Sequence, residues 1–254
     1  MTDVKSLWNQ ELMLARSAVG RGEPVVARSH FLRAILGDSS TEARGEYAAF
    51  LVGRGEYAGA IAEYSQMLEI AEKQGDFAGL IEIAWGLAGA YRGKGELSQA
   101  AYFLDYAVMV EGQLLVYHQA GIEFTGIAAG DLRRVEAELG RQLLGALGSG
   151  NATQEGILWL SCGILEWLQG GLEESLRSLK TGLRVVRKLR RSEVEGDFFL
   201  WIGRVCHGWG EARLGQLSIR RSAAWGVEAM RSRRELELEV REKQAGGGLE
   251  ARSK

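Results

Sequence analysis

The chain has 254 residues, room for one long domain or two short ones, and its 46% hydrophobic and 25% charged residues exclude a chain disordered over most of its length. Thirty-five glycines are about twice ordinary usage and Pro24 is the single proline, so helix is permitted almost everywhere. The net charge of −2 conceals an asymmetry: residues 1–150 hold 13 Lys+Arg against 19 Asp+Glu, and residues 151–254 hold 18 against 14.

The opening MTDVKSLWNQ carries Asp3 and no long apolar stretch, so it does not read as a secretory signal. No later run reaches the roughly eighteen apolar residues of a membrane span. Cys162 and Cys206 have neither metal nor disulfide-framework spacing. A cytoplasmic location is the expectation.

A glycine followed by an acidic or small residue then recurs six times, at Gly22-Glu23, Gly55-Glu56, Gly95-Glu96, Gly130-Asp131, Gly170-Gly171 and Gly210-Glu211, with intervals of 33, 40, 35, 40 and 40. Self-similarity at such periods is the mark of a repeat array. Each glycine is predicted to turn the chain between two helices, because the residue after a helix commonly takes left-handed angles that suit glycine. In the first unit Asn9, Leu12 and Arg16 precede the turn, and Pro24 falls in the first turn of the next helix, where its missing N–H costs nothing. In the second, GRGEYAGAIAEY places Tyr57, Ala60, Ile61, Tyr64 and Leu68 at helical spacing; in the third, Leu87, Ala88 and Tyr91 lead into GKGELSQAAYFL. The fourth unit is predicted to run a first helix through Tyr117, Phe124 and Ile127 to its turn at Gly130. In the fifth, Trp159, Cys162, Gly163 and Glu166 precede the turn and Leu172, Ser175, Leu176, Leu179 and Leu183 follow it. The sixth, FFLWIGRVCHGWGEARLGQLSIRRSA, aligns without a gap on LWLSCGILEWLQGGLEESLRSLKTGL, forty residues earlier. Beyond the repeats, at 1–230, residues 231–244 read as a charged capping helix and 245–254 as a disordered tail.

The segment IAWGLAGAYRGKGELSQAAYFLDYAV carries Leu87, Ala88, Tyr91, Gly95, Leu97, Ala100, Leu104 and Ala107 in an order that resembles the tetratricopeptide repeat. The resemblance spans roughly residues 5–228 and implies an all-α fold, a right-handed solenoid of about six helix-turn-helix units. The family's terminal proline is missing from every unit, and the longer intervals resemble its longer-helix members.

That family's first helices line a concave groove. The resemblance therefore places Glu82, Trp85 and Arg92, then Tyr117 and Phe124, then Leu160 and Trp167, then Arg204 and His207 along a trough. Several hundred Å² of apolar surface would be open there, enough to take an amphipathic helix or extended peptide of a partner protein. The same aromatics could instead turn inward as core. The asparagine-rich carboxylate clamp of some family members is not supported, since Asn9 and Asn151 are the only asparagines.

Catalysis has little support. His30, His118 and His207 lie in separate units without a carboxylate or cysteine at ligand spacing, and the glycine-rich GSGN and AGGGLE lack the strand and lysine of a phosphate loop. No enzyme activity, cofactor or metal is expected. From Arg177 to Arg234 the chain holds 14 Lys+Arg against 5 Asp+Glu, and Arg177, Lys180, Arg184, Arg187, Lys188 and Arg191 recur at helical spacing. This stripe is either a solvated outer face or a contact for phosphate on nucleic acid or an anionic membrane.

Overall fold

A computed structural model of the chain describes residues 4–37, 41–125, 132–190, 192–223 and 228–251, and among these every regular element is an α-helix. In chain order they are α1 (Val4–Gly20), α2 (Pro24–Gly37), α3 (Glu42–Gly53), α4 (Tyr57–Gln74), α5 (Phe77–Lys94), α6 (Leu97–Ala120), α7 (Leu132–Ser149), α8 (Ala152–Leu168), α9 (Leu172–Lys188), α10 (Ser192–Gly208), α11 (Ala212–Ala223) and α12 (Glu228–Ala251). Five predicted turns are present as hairpins: α1/α2, α3/α4, α5/α6, α8/α9 and α10/α11. Their glycines, Gly22, Gly55, Gly95, Gly170 and Gly210, all have φ between 71° and 87°. At each, two backbone bonds close the preceding helix, as where Glu56 N–H donates to Leu51 C=O at 2.9 Å and Gly55 N–H to Val52 C=O at 3.0 Å.

The turn motif also carries a charge pair. Arg21–Glu23, Arg54–Glu56 and Lys94–Glu96 bridge their glycines at 2.9, 3.0 and 2.7 Å. An acidic residue at this place also lies near the N-terminus of the following helix, where the helix dipole favours negative charge. Glu56 does stand at the N-cap of α4, but its carboxylate makes no capping bond and turns to Arg28 and Arg54 instead.

What makes the hairpins equivalent is their packing. Seven residues before each turn glycine and five after it stand small residues: Ala15 and Ala27, Ala48 and Ala60, Ala88 and Ala100, Gly163 and Ser175, Gly203 and Gly215, all buried. They are where the two helices of a hairpin touch. A Cβ on Gly163 would lie 2.6 Å from Leu179 Cγ and 3.2 Å from Ser175 O; forty residues on, one on Gly203 would lie 2.5 Å from Ile219 Cγ1 and 2.8 Å from Gly215 O. The same contact thus recurs at the sequence period.

The fourth unit departs from expectation. No break occurs between Leu97 and Ala120: α6 is one helix of 24 residues that stops at Gly121, φ 67°. Tyr117 is therefore on α6, Phe124 lies in an irregular segment after it, and α7 stands outside the hairpin pattern. The physical reason is that the chain offers no left-handed turn glycine until Gly121; Gly112, the one glycine on the way, serves close packing (below). The predicted turn at Gly130-Asp131, with Gly126 and Ile127, lies outside the described residues. The tail also differs, since α12 continues through residues 245–251 expected to be disordered.

The chain divides into two compact units, Met1–Ala107 and Val108–Lys254, with α6 contributing to each. In the first, Leu12, Phe31, Tyr47 and Leu51 pack with the alanines of α1–α5, and the Phe31 ring meets Tyr47 and Phe50 at 5.7 and 5.4 Å. In the second, Leu158, Ile164, Leu179, Phe198, Trp201 and Ile219 form the core. Helix stops between hairpins use the same device at Gly75, Gly121 and Gly150, two of them followed by the N-caps Asp76 and Asn151. Among the described residues, a residue other than glycine takes the left-handed position only after α9: Arg190, φ 55°, forty residues after Gly150. A side chain there costs about 1 kcal/mol or more relative to glycine.

Candidate partner-binding site

In the first unit, the face formed by the first helices is polar and accessible. Asn9, Met13 and Arg16 on α1, Glu42 and Ala49 on α3 and Glu82 on α5 are exposed, while Leu12 and Trp85 beneath them are buried. Arg16 ties α1 to α3: its Nε donates to Glu46 Oε2 at 2.8 Å and its Nη2 to Glu42 at 3.2 Å. The hydrogen bond to Glu46 holds the guanidinium pKa above its usual value against desolvation, which lowers it. Half of the Arg16 side chain is in solvent, so the pair contributes under about 1 kcal/mol. Arg92 is half-buried at the end of the same helix face as Glu82.

The corresponding face of the second unit is already filled. Arg204 on α10, expected to look into the trough, and Ile164 on α8, forty residues before it, meet the second half of α6. Gly112 is so close that a Cβ would stand 3.2 Å from Ile164 Cγ2 and 3.0 Å from Trp201. Next to it, Glu111 accepts from Arg204 Nη1 at 3.2 Å. Arg204 is 4% exposed. Its guanidinium lies 4.7 Å from the Trp201 ring centroid, and its other edge donates to Glu237 of α12 at 3.2 and 3.3 Å. Glu237 is fully buried and also accepts from Arg241 at 3.1 Å. Burial pushes the Glu237 carboxyl pKa up, but Arg204 and Arg241 outweigh burial and hold it below the usual range.

The trough residues are therefore divided. Trp85 (6% exposed), Tyr117 (3%) and Arg204 are core, so an open aromatic trough does not run through them. Phe124 is half-buried, edge-on to Tyr117 at 4.9 Å, and Trp167 is half-buried, edge-on to Trp201 at 5.4 Å. Leu160 and His207 are partly exposed. The signal that could have revealed the filled face is the stretch Ala107–Tyr117, apolar on nearly every side except for Glu111 and Gln113, the pattern of a helix buried all round.

Of the expected basic stripe, Arg177, Lys180, Arg184, Arg187 and Lys188 lie on α9 and are exposed; Arg191 lies outside the described residues. His30 receives or gives a hydrogen bond at Nδ1 to Glu11, 2.6 Å away on α1. Burial pushes the Cys162 thiol up to about 12, and burial also raises the Cys206 thiol. Among the described residues, no helix is long and apolar enough to cross a membrane.

No family model matches the chain, and no curated protein matches it. Among solved structures it is similar to a tetratricopeptide repeat protein from Parabacteroides merdae, at 14% identity over 92% of this chain and 98% of that one, with a TM-score of 0.34. So loose a superposition adds nothing to the helices and turns above.

Proposed function

We propose that the chain is a non-catalytic scaffold of tetratricopeptide-like hairpins that holds a segment of another protein on the first-helix face of its N-terminal unit. The observation that supports this reading is the difference between the two units. In the second, a helix of the chain itself lies on that face, with the apolar and ionic contacts a helical ligand would make. In the first, the equivalent face is exposed and carries side chains that can meet a partner: Met13, the Arg16–Glu42–Glu46 ladder, Glu82 and Arg92. Repeat arrays act in this way because stacked hairpins make a continuous surface while each is stabilised by its neighbours. Mixed charge on the face favours a segment that is itself of mixed charge, with an apolar side chain for Met13.

The test is affinity capture with the full chain, followed by recapture with a Met13→Asp/Glu82→Arg variant whose circular dichroism matches the parent. Loss of the same captured partner in the variant is the expected result. Retention of it, or loss in a Leu160→Ala variant alone, would place binding elsewhere.

A further inference from the structure

The second helices of the last two hairpins carry a different surface. On α9, Lys180, Arg184 and Lys188 are exposed, and while Arg177 pairs with Glu173 and Arg187 with Glu195, no ion pair to these three is formed among the described residues. On α11, the exposed face alternates Arg213, Leu214, Leu217, Arg220 and Arg221, with both leucines 54% exposed. The two helices are joined at Phe199 of α10: the guanidiniums of Arg187 and Arg221 stand 5.4 and 4.3 Å from its ring centroid. The basic face thus runs across two helices with leucines set into it, and acids meet it at three of its arginines, Glu173 at Arg177, Glu195 at Arg187 and Glu242 at Arg220, leaving Lys180, Arg184, Lys188 and the leucines between them.

Arg190 is the second, independent observation. It occupies a left-handed helix stop where the other described stops of this kind use glycine, at the end of α9 and beside the 38%-exposed Leu189. A residue kept in an unfavourable backbone conformation points to a use other than folding. Its exposed side chain adds one more charge at the end of α9.

We propose that the α9/α11 face docks on an anionic phospholipid surface. Cations supply attraction to the headgroups, and Leu189, Leu214 and Leu217 enter the interface between them, the arrangement by which a helix lies on a membrane without crossing it. The leucines decide against a nucleic acid, whose phosphates reward charge but give exposed aliphatic side chains nothing to enter. This surface is separate from the one proposed for a protein partner, and neither reading depends on the other.

The experiment is co-sedimentation of the full chain with vesicles of phosphatidylcholine alone and of phosphatidylcholine with phosphatidylserine, in rising salt, beside a duplex DNA binding assay. Binding is expected only with phosphatidylserine. Each lost cation should weaken it about fivefold, so Lys180→Gln/Arg184→Gln/Lys188→Gln lowers affinity by about a hundredfold. Leu214→Ser/Leu217→Ser should weaken vesicle binding in salt. Arg190→Gly should raise the melting temperature and still lower vesicle affinity, which a purely structural arginine would not do. No binding at low salt, binding unchanged by the triple variant, or vesicle binding untouched by the leucine variant while DNA competes for the site, overturns the proposal.

Discussion

At the scale of single residues, the chemistry is governed by burial. The Cys162 thiol, pushed up to about 12, and the Cys206 thiol, raised by burial as well, are protonated at neutral pH, and only the thiolate is nucleophilic. A maleimide or iodoacetamide reagent should therefore leave the native chain unmodified on the timescale that modifies it fully in denaturant, counted by mass spectrometry. Rapid native labelling would show that burial does not keep these thiols protonated. Glycines sort by what surrounds them. Gly203 faces the Gly215 carbonyl oxygen and the Ile219 backbone nitrogen, neither of which can rotate away, so Gly203→Ala should lower stability by about 3 kcal/mol. Gly163 faces a movable Leu179 side chain as its nearest contact, and the same substitution there should cost about half as much. Urea midpoints of the two variants measure the difference; equal costs would mean that the mobility of Leu179 gives no relief at Gly163.

At the scale of elements, the hairpins were legible and the long helix was not. A turn glycine needs left-handed angles, and small residues seven before and five after it are needed for two helices to touch, so both leave local marks. The end of α6 leaves a weaker one, because apolar periodicity from Leu97 to Ala120 reads equally well as one helix or two, and the thirty-five-residue interval to Gly130 favoured two. That α6 lies against Ile164 and Trp201 is a long-range fact with no nearby signature except the excess of apolar residues around Gly112. Burial of Trp85 and Tyr117 was undecidable for the same reason: a single helix face says which residues are apolar, not what comes to cover them. Helix α7 carries another sort of misfit. Gly140 and Gly145 lie within it with open space where a side chain would go and no positive φ. Each replaces a better helix former without gain in packing, so Gly140→Ala and Gly145→Ala should each stabilise the chain by about 0.5–1 kcal/mol, read as an additive rise in denaturant midpoint. A loss of stability would show that these positions are covered by a partner or by another part of the chain.

At the scale of the whole molecule, repeat proteins distribute their stability among neighbouring contacts, and the buried ion cluster of Arg204, Glu111, Glu237 and Arg241 gives the second unit a dependence on pH that the first has no equivalent for among the described residues. Asp197 of α10, its carboxyl raised by burial, acts with the opposite sign but is half in solvent, so the sign follows from the fully buried Glu237. Its folded pKa lies below the ordinary carboxylate value, so the folded state binds a proton less readily than the unfolded one. Stability from this group is therefore fully present above the ordinary carboxylate range and is lost as pH falls through that range toward the depressed folded pKa. Acidification should open amides of α10 and α12 before those of α1–α4, in hydrogen exchange followed by mass spectrometry. Glu237→Gln removes the charge but keeps the shape. It leaves Arg204 buried with Glu111 alone, and should cost about 3 kcal/mol at neutral pH while flattening the acid dependence of α10 and α12. Exchange in α1–α4 should stay at the parent's rate. If the variant loosens all helices equally, the two units unfold as one, and the picture of a first unit free to serve a partner while the second is held by its own helices fails with it.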